Sequence, residues 1–75
     1  MLESIALRVT GDQPLVCEGC ERRVERLLKA VPGVDKVRAH AKNQRIEVLF
    51  DRTLIEPRAM IERLGEAGYQ TTIDA

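Results

Sequence analysis

The chain holds two thiols, Cys17 and Cys20, three residues apart within Val16-Cys17-Glu18-Gly19-Cys20-Glu21-Arg22-Arg23-Val24. Here an extended pattern gives way to a helical one. Cys17 is expected in the loop and Cys20 in the first helical turn, so both sulfurs can point at one ion. Gly19 adds no side-chain bulk and lets the loop bend. The unpaired N–H groups and the dipole of a helix start favour thiolate over thiol. Thiolates are soft ligands and select soft ions such as Cu(I), and Hg(II) follows the same logic. Two sulfurs suffice for near-linear coordination and leave the ion open to a third thiolate. That is what a metal carrier needs.

Other chemistries compete for the same pair. A structural zinc site wants four ligands. Two Cys and one His, His40, cannot close one within a single chain without carboxylates or a dimer. Glu18 would add a carboxylate and favour Zn(II) or Cd(II), but its side chain is expected to face water. A thiol–disulfide redox protein also uses C-x-x-C. It normally has a larger fold and an aromatic residue before the first Cys, where Val16 stands here. Two cysteines packing as small hydrophobes are the plain alternative. The coincidence with a strand-to-helix switch speaks against it.

Composition narrows the class. Seventy-five residues make one domain, spanning 1–75, with a thin core. Twelve basic and twelve acidic residues cancel, which argues against nucleic acid as a partner. Phe50 and Tyr69 are the only aromatics, too few for a base-stacking platform. The amino-terminal run does not read as a secretory signal, and no apolar stretch approaches the ~20 residues of a membrane span. The expected location is the cytoplasm, where thiols stay reduced. A start at Met1 and an end soon after the last strand fit a free-standing protein, and an excised domain reads the same way.

Six elements position the cysteines. Ile5, Leu7 and Val9 alternate as a strand, and Gly11-Asp12-Gln13-Pro14 turns the chain. Val24, Leu27, Leu28 and Val31 form a helical stripe that Cys20 extends, and Pro32-Gly33 stops it. Val34, Val37, Ala39 and Ala41 suggest a second strand, with the first two out of strict alternation. Lys42-Asn43-Gln44 reads as the tip of a loose hairpin. Ile46, Val48 and Phe50 alternate cleanly in a third strand. Pro57 opens a second helix whose apolar side is Ala59, Met60, Ile61, Leu64 and Ala67, and Gly68 ends it. Tyr69, Thr71 and Ile73 alternate as a last strand. The order βαββαβ predicts an α+β, ferredoxin-like sandwich, a four-stranded antiparallel sheet with two helices on one face. That topology gathers the first strand–helix loop, the hairpin tip and the last helix–strand loop at one end.

Among the charged residues, Glu18–Arg22 is an expected helical pair and Glu21–Glu25 a repulsive one, both on a solvated face of the first helix. His40 is expected on an edge strand, facing solvent and not ligating. Met60 is expected in the core.

Cys17-Glu18-Gly19-Cys20, Val24, Leu27-Leu28, Val31-Pro32-Gly33-Val34, Val37, Ile46-Glu47-Val48 and Ala67-Gly68-Tyr69 together resemble the heavy-metal-associated domain. That family includes small copper chaperones, mercury-binding proteins and the amino-terminal arms of metal-transporting P-type ATPases. The resemblance implies the ferredoxin-like fold, Cys17 and Cys20 as metal ligands, and Tyr69 near the metal loop, shielding the ion, while an aromatic packed in the core is the equal alternative for Tyr69. It implies that partners dock beside the metal loop through complementary charge. The chain departs from the family where Pro14-Leu15-Val16 replaces the usual Gly-Met-x. Leu15 then takes the place of a methionine buried under the loop, and Gly11 is a candidate for the displaced glycine, in a loop longer by three residues.

The reading is a soft-metal carrier, not an enzyme, with Cu(I) foremost and Hg(II), Zn(II) or Cd(II) as other cargoes. The expected partner is a metal-transporting P-type ATPase or another metal-accepting protein with a cysteine pair. A monomer without membrane insertion is expected, and a metal-bridged dimer is the variant form. The alternatives are a thiol–disulfide redox protein or an interaction module of the same fold without metal transport.

Overall fold

Alternation makes the central strands. Leu7 and Val9 of β1 (Leu2–Val9) and Ile46, Val48 and Phe50 of β3 (Arg45–Asp51) all turn to one side and are buried. The computed structural model describes residues 2–11, 14–16 and 18–74. Cys17 and, in the expected turn, Asp12 and Gln13 lie outside the described residues.

The sheet is antiparallel throughout and ordered β2-β3-β1-β4, with β2 (Val34–His40) and β4 (Thr71–Ile73) at the edges. The helices α1 (Glu18–Lys29) and α2 (Pro57–Glu66) complete the ferredoxin-like order. Val24 and Leu28 of α1 and Met60 and Leu64 of α2 join the inward strand residues in one buried cluster. Each such side chain contributes roughly 1.5–3 kcal/mol by leaving water.

The irregular spacing of β2 has a geometric cause. Val34 pairs with Phe50 and Lys36 with Leu49, with the register shifting between them. This β-bulge places Val34 and Val37, three apart, on the same side of the sheet. Both pack against the core. The hairpin is loose as expected, a turn over 41–44 that ends with Gln44 at φ 56°.

Three expectations on buried faces are corrected. Ala59 is exposed, because α2 meets the core through Met60 and Leu64, and Ala59 lies off that line. Ile73 is 50% exposed, because it sits on a three-residue edge strand. Tyr69 precedes β4 and owes its burial to the helix terminus. Glu21 and Glu25 do not belong to a solvated face. Their carboxylates accept N–H bonds from the backbone of Ala41 (2.6 Å) and Ala39 (3.0 Å). They thereby cover open donors of the edge strand, which would otherwise invite another strand. The Glu18–Arg22 pair forms as expected, at 2.7 Å, and is exposed. The His40 ring is 44% exposed and lies 3.2 Å from Glu47.

The end of the sheet opposite the first strand–helix loop depends on Gly33 and Asp51. Asp51 donates its N–H to the Gly33 carbonyl (2.7 Å). Its carboxylate accepts from the Thr53 hydroxyl (2.7 Å) and N–H (2.9 Å), which hold its pKa below the usual carboxylate value. The resulting stabilisation is present above the ordinary carboxylate pKa and is lost as pH falls through the lowered value. Gly33 has φ 97°, and a Cβ there would lie 2.9 Å from both Leu54 and Ile55 side-chain atoms. Gly33→Ala is therefore expected to cost about 2 kcal/mol or more, measured by urea denaturation.

Candidate metal centre

Helix α1 begins at Glu18, directly after Cys17, so Cys20 falls in the first turn. Cys20 is half-buried and packs against the buried cluster that contains Leu15 and Tyr69. The cysteine pair thus straddles a helix start, with one member anchored by the core. The position of Cys17 itself lies outside the described residues. Among the described residues, no group of three or more His, Cys, Asp or Glu side chains converges as a metal site. Glu18 faces solvent and is engaged by Arg22.

The three loops do meet at one end, and backbone bonds tie them. Val9 at the end of β1 and Thr10 just beyond it donate in two directions, Val9 N–H to the Gln44 carbonyl (2.9 Å) and Thr10 N–H to the Gln70 carbonyl (2.8 Å). Gly11 lies so close to Gln70 that a Cβ would sit 2.9 Å from the Gln70 Cβ. Glycine is needed there for close approach between the first loop and the last.

Leu15 is 2% exposed, so it fills the core as a buried methionine would. Val16, one residue on, is 71% exposed. Leu15 is also held through its backbone. Its N–H donates to Gln44 Oε1 (2.7 Å), and its carbonyl accepts from Gln44 Nε2 (2.6 Å). Sequence reasoning missed Gln44, which it read only as part of a hairpin tip. Nothing local marks a glutamine that will reach a loop 29 residues away.

Tyr69 is 5% exposed, and the end of α2 explains why. Gly68 takes φ 97° and donates its N–H to Gly65 (3.0 Å), while the Tyr69 N–H bonds back to Leu64 (2.9 Å). This pair of bonds is a Schellman motif, which reverses the chain and brings the next side chain back against the helix. Leu64 and Tyr69 both belong to the buried cluster. Gly68-Tyr69 is thus a helix stop that also delivers an aromatic ring to the core.

Around α1, Glu21 and Glu25 turn toward β2. Arg22, Arg23 and Arg26 line a groove with Leu27 and, from α2, Arg63, while Arg26 also borders a second groove on the β2 side with Glu25 and Arg38. The first groove begins at Gly19, inside the cysteine pair. A chain of zero net charge therefore carries a basic groove beside the candidate site.

Comparison with known proteins agrees with this fold. The heavy-metal-associated domain profile matches residues 13–70. The copper chaperone CopZ of Enterococcus hirae is 28% identical over 76% of this chain and 83% of its own length. The nitrogen fixation protein FixI of Bradyrhizobium diazoefficiens is 33% identical over 92% of this chain. The copper-transporting ATPase RAN1 of Arabidopsis thaliana is 32% identical over 96%. The chain spans 9% of the length of FixI and 7% of that of RAN1. Among solved structures, a copper-binding domain of the P-type ATPase HMA7 superposes with a TM-score of 0.86 at 32% identity, covering 96% of this chain and 93% of that domain. Oxidized MerP of Ralstonia metallidurans CH34 has a TM-score of 0.89 at 23% identity over 100% of both chains, a likeness of fold. No helix among the described residues is long and apolar enough to cross a membrane.

The burial of Leu15 makes a test of the substituted loop. Leu15→Met conserves volume and is expected to cost less than about 1.5 kcal/mol. Leu15→Ala leaves a cavity and is expected to cost roughly 2–5 kcal/mol. Chemical denaturation of both variants checks the difference.

Proposed function

The chain belongs to the heavy-metal-associated domain family, and we propose that it binds Cu(I) between Cys17 and Cys20 and hands it to a partner with its own cysteine pair. The observation that carries this reading is the place of Cys20, in the first turn of α1 and packed against the core. The thiolates of such a pair meet the helix N-terminus, where negative charge is stabilised. Their softness favours Cu(I) over harder ions, with Hg(II) as the nearest competitor. CopZ, a copper chaperone, and RAN1, a copper-transporting ATPase, support copper as the cargo and a P-type ATPase as the receiving partner.

Transfer proceeds by ligand exchange. A partner thiolate attacks the two-coordinate ion and forms a third copper–sulfur bond. One of the original bonds, to Cys17 or Cys20, then breaks, and a second partner thiolate displaces the other. Copper stays Cu(I) throughout, so no oxidant or reductant is required. Only metal–ligand bonds change, which makes the protein a carrier rather than an enzyme. A reducing compartment such as the cytoplasm keeps both thiols available.

The arginines of the α1–α2 groove support an acidic docking face on the partner. Complementary charge there orients the encounter and raises its rate, and it adds little to the hold on the ion.

Replacing Cys17 or Cys20 with Ser is expected to abolish tight Cu(I) binding in competition with a chromophoric chelator, while circular dichroism stays close to the parent. Tight binding by the double variant would sink the proposal. A parent with a measurable disulfide potential but no Cu(I) affinity would point to redox cycling instead. Arg23→Glu combined with Arg26→Glu is expected to leave Cu(I) affinity unchanged. The same pair should slow transfer to an acidic acceptor domain several-fold at low salt, in stopped-flow measurements. That difference should shrink toward 1 M salt, where the screening length is about 3 Å.

A further inference from the structure

Gln44 is a non-glycine residue at φ 56°, in the left-handed region that an L-residue adopts only against steric resistance from its Cβ. Glycine or asparagine is the usual occupant of such a position. A longer side chain there needs a compensating use, and the structure supplies one. The Gln44 amide accepts from Leu15 N–H at 2.7 Å, donates to the Leu15 carbonyl at 2.6 Å, and donates again to the Ala41 carbonyl at 2.6 Å. Both of its N–H groups and its oxygen are employed. It treats Leu15 as a neighbouring strand would, closing a bridge from side chain to backbone. Glutamate could accept but not donate, and lysine could donate but not accept. Asparagine is one methylene shorter.

The backbone of Gln44 is itself held, since its carbonyl accepts from Val9 N–H at 2.9 Å. The amide therefore ties the first loop to the central strand β1 through a short, rigid route. Leu15 is also anchored in the core, and α1 starts at Glu18. Only Val16 and Cys17 lie between these two fixed points. Val16 is 71% exposed and gains little hold from packing.

We propose that Gln44 is a positioning residue of the metal loop, clamping the backbone of Leu15, two residues before Cys17 in the sequence. This rests on the carrier reading above. Groups outside the ligand set that orient a ligand commonly contribute 10–100-fold to metal affinity.

Two variants separate positioning from a merely structural role. Gln44→Gly removes the amide and relieves the backbone. Gln44→Glu keeps length and acceptor but loses both donors. Cu(I) affinity is measured by chelator competition under reducing conditions, at a temperature where circular dichroism reports each variant as folded. Amide hydrogen exchange is followed at Leu15 and, as a core reference, at Val48. The expected result is about tenfold weaker Cu(I) binding in both variants, with faster exchange at Leu15 and unchanged exchange at Val48. Affinity within twofold of the parent, with only a lowered melting temperature, would overturn the proposal and leave Gln44 a residue of the fold alone. A parent that takes up no Cu(I) overturns the carrier reading and this proposal with it, and the parent measurement identifies that case.

Discussion

Helix α1 has one way to lie on the sheet, with Val24 and Leu28 down, and most of the chemistry follows from that constraint. Both are fully buried in a core of little depth. Fixing them fixes the direction of every other residue on the helix. Cys20, one turn before Val24, is drawn partly into the core while remaining at the helix start. Glu21 and Glu25 fall on the side of β2 and bond to its backbone. Arg22 and Arg23 fall on the side of α2, and Arg26 lies between the two sides. A single packing decision thus anchors a thiol, protects an edge strand and builds a basic groove.

The site end of the molecule is held by backbone rather than by a mass of side chains. The end of β1 stands between both other loops, with Val9 bonded to one and Thr10, the next residue, to the other. Such bonds are individually modest, about 1 kcal/mol net. Together they leave the loops few ways to move independently. In the proposed carrier role the ion must be held and also released to an incoming thiolate, and Val16, 71% exposed beside buried Leu15, leaves room for a partner.

Much of the fold was legible because periodicity reports burial directly. β3 alternates without fault and is buried in that pattern, and the stripe of α1 follows helical spacing. Gly68 was readable as a stop, yet the consequence for Tyr69 came from two specific backbone bonds. The irregular valines of β2 marked a bulge without naming it. Glu21 and Glu25 were misjudged, since local spacing sees a repulsive pair while the edge strand supplies the N–H donors that satisfy both.

Element order, the cysteine spacing and the helix start between the two cysteines were legible locally, because they depend on neighbours within a few residues. The sequence also determined that charge would sum to zero. Packing settled where that charge went, turning Glu21 and Glu25 to the backbone beside α1 and gathering Arg22, Arg23, Arg26 and Arg63 around the α1–α2 groove. It alone brought Gln44 to Leu15, a contact across 29 residues that no local pattern announces. The physical reason is the same in both cases. Local propensities set which way each residue points on its own element, while partners across the sheet are chosen by how the elements pack.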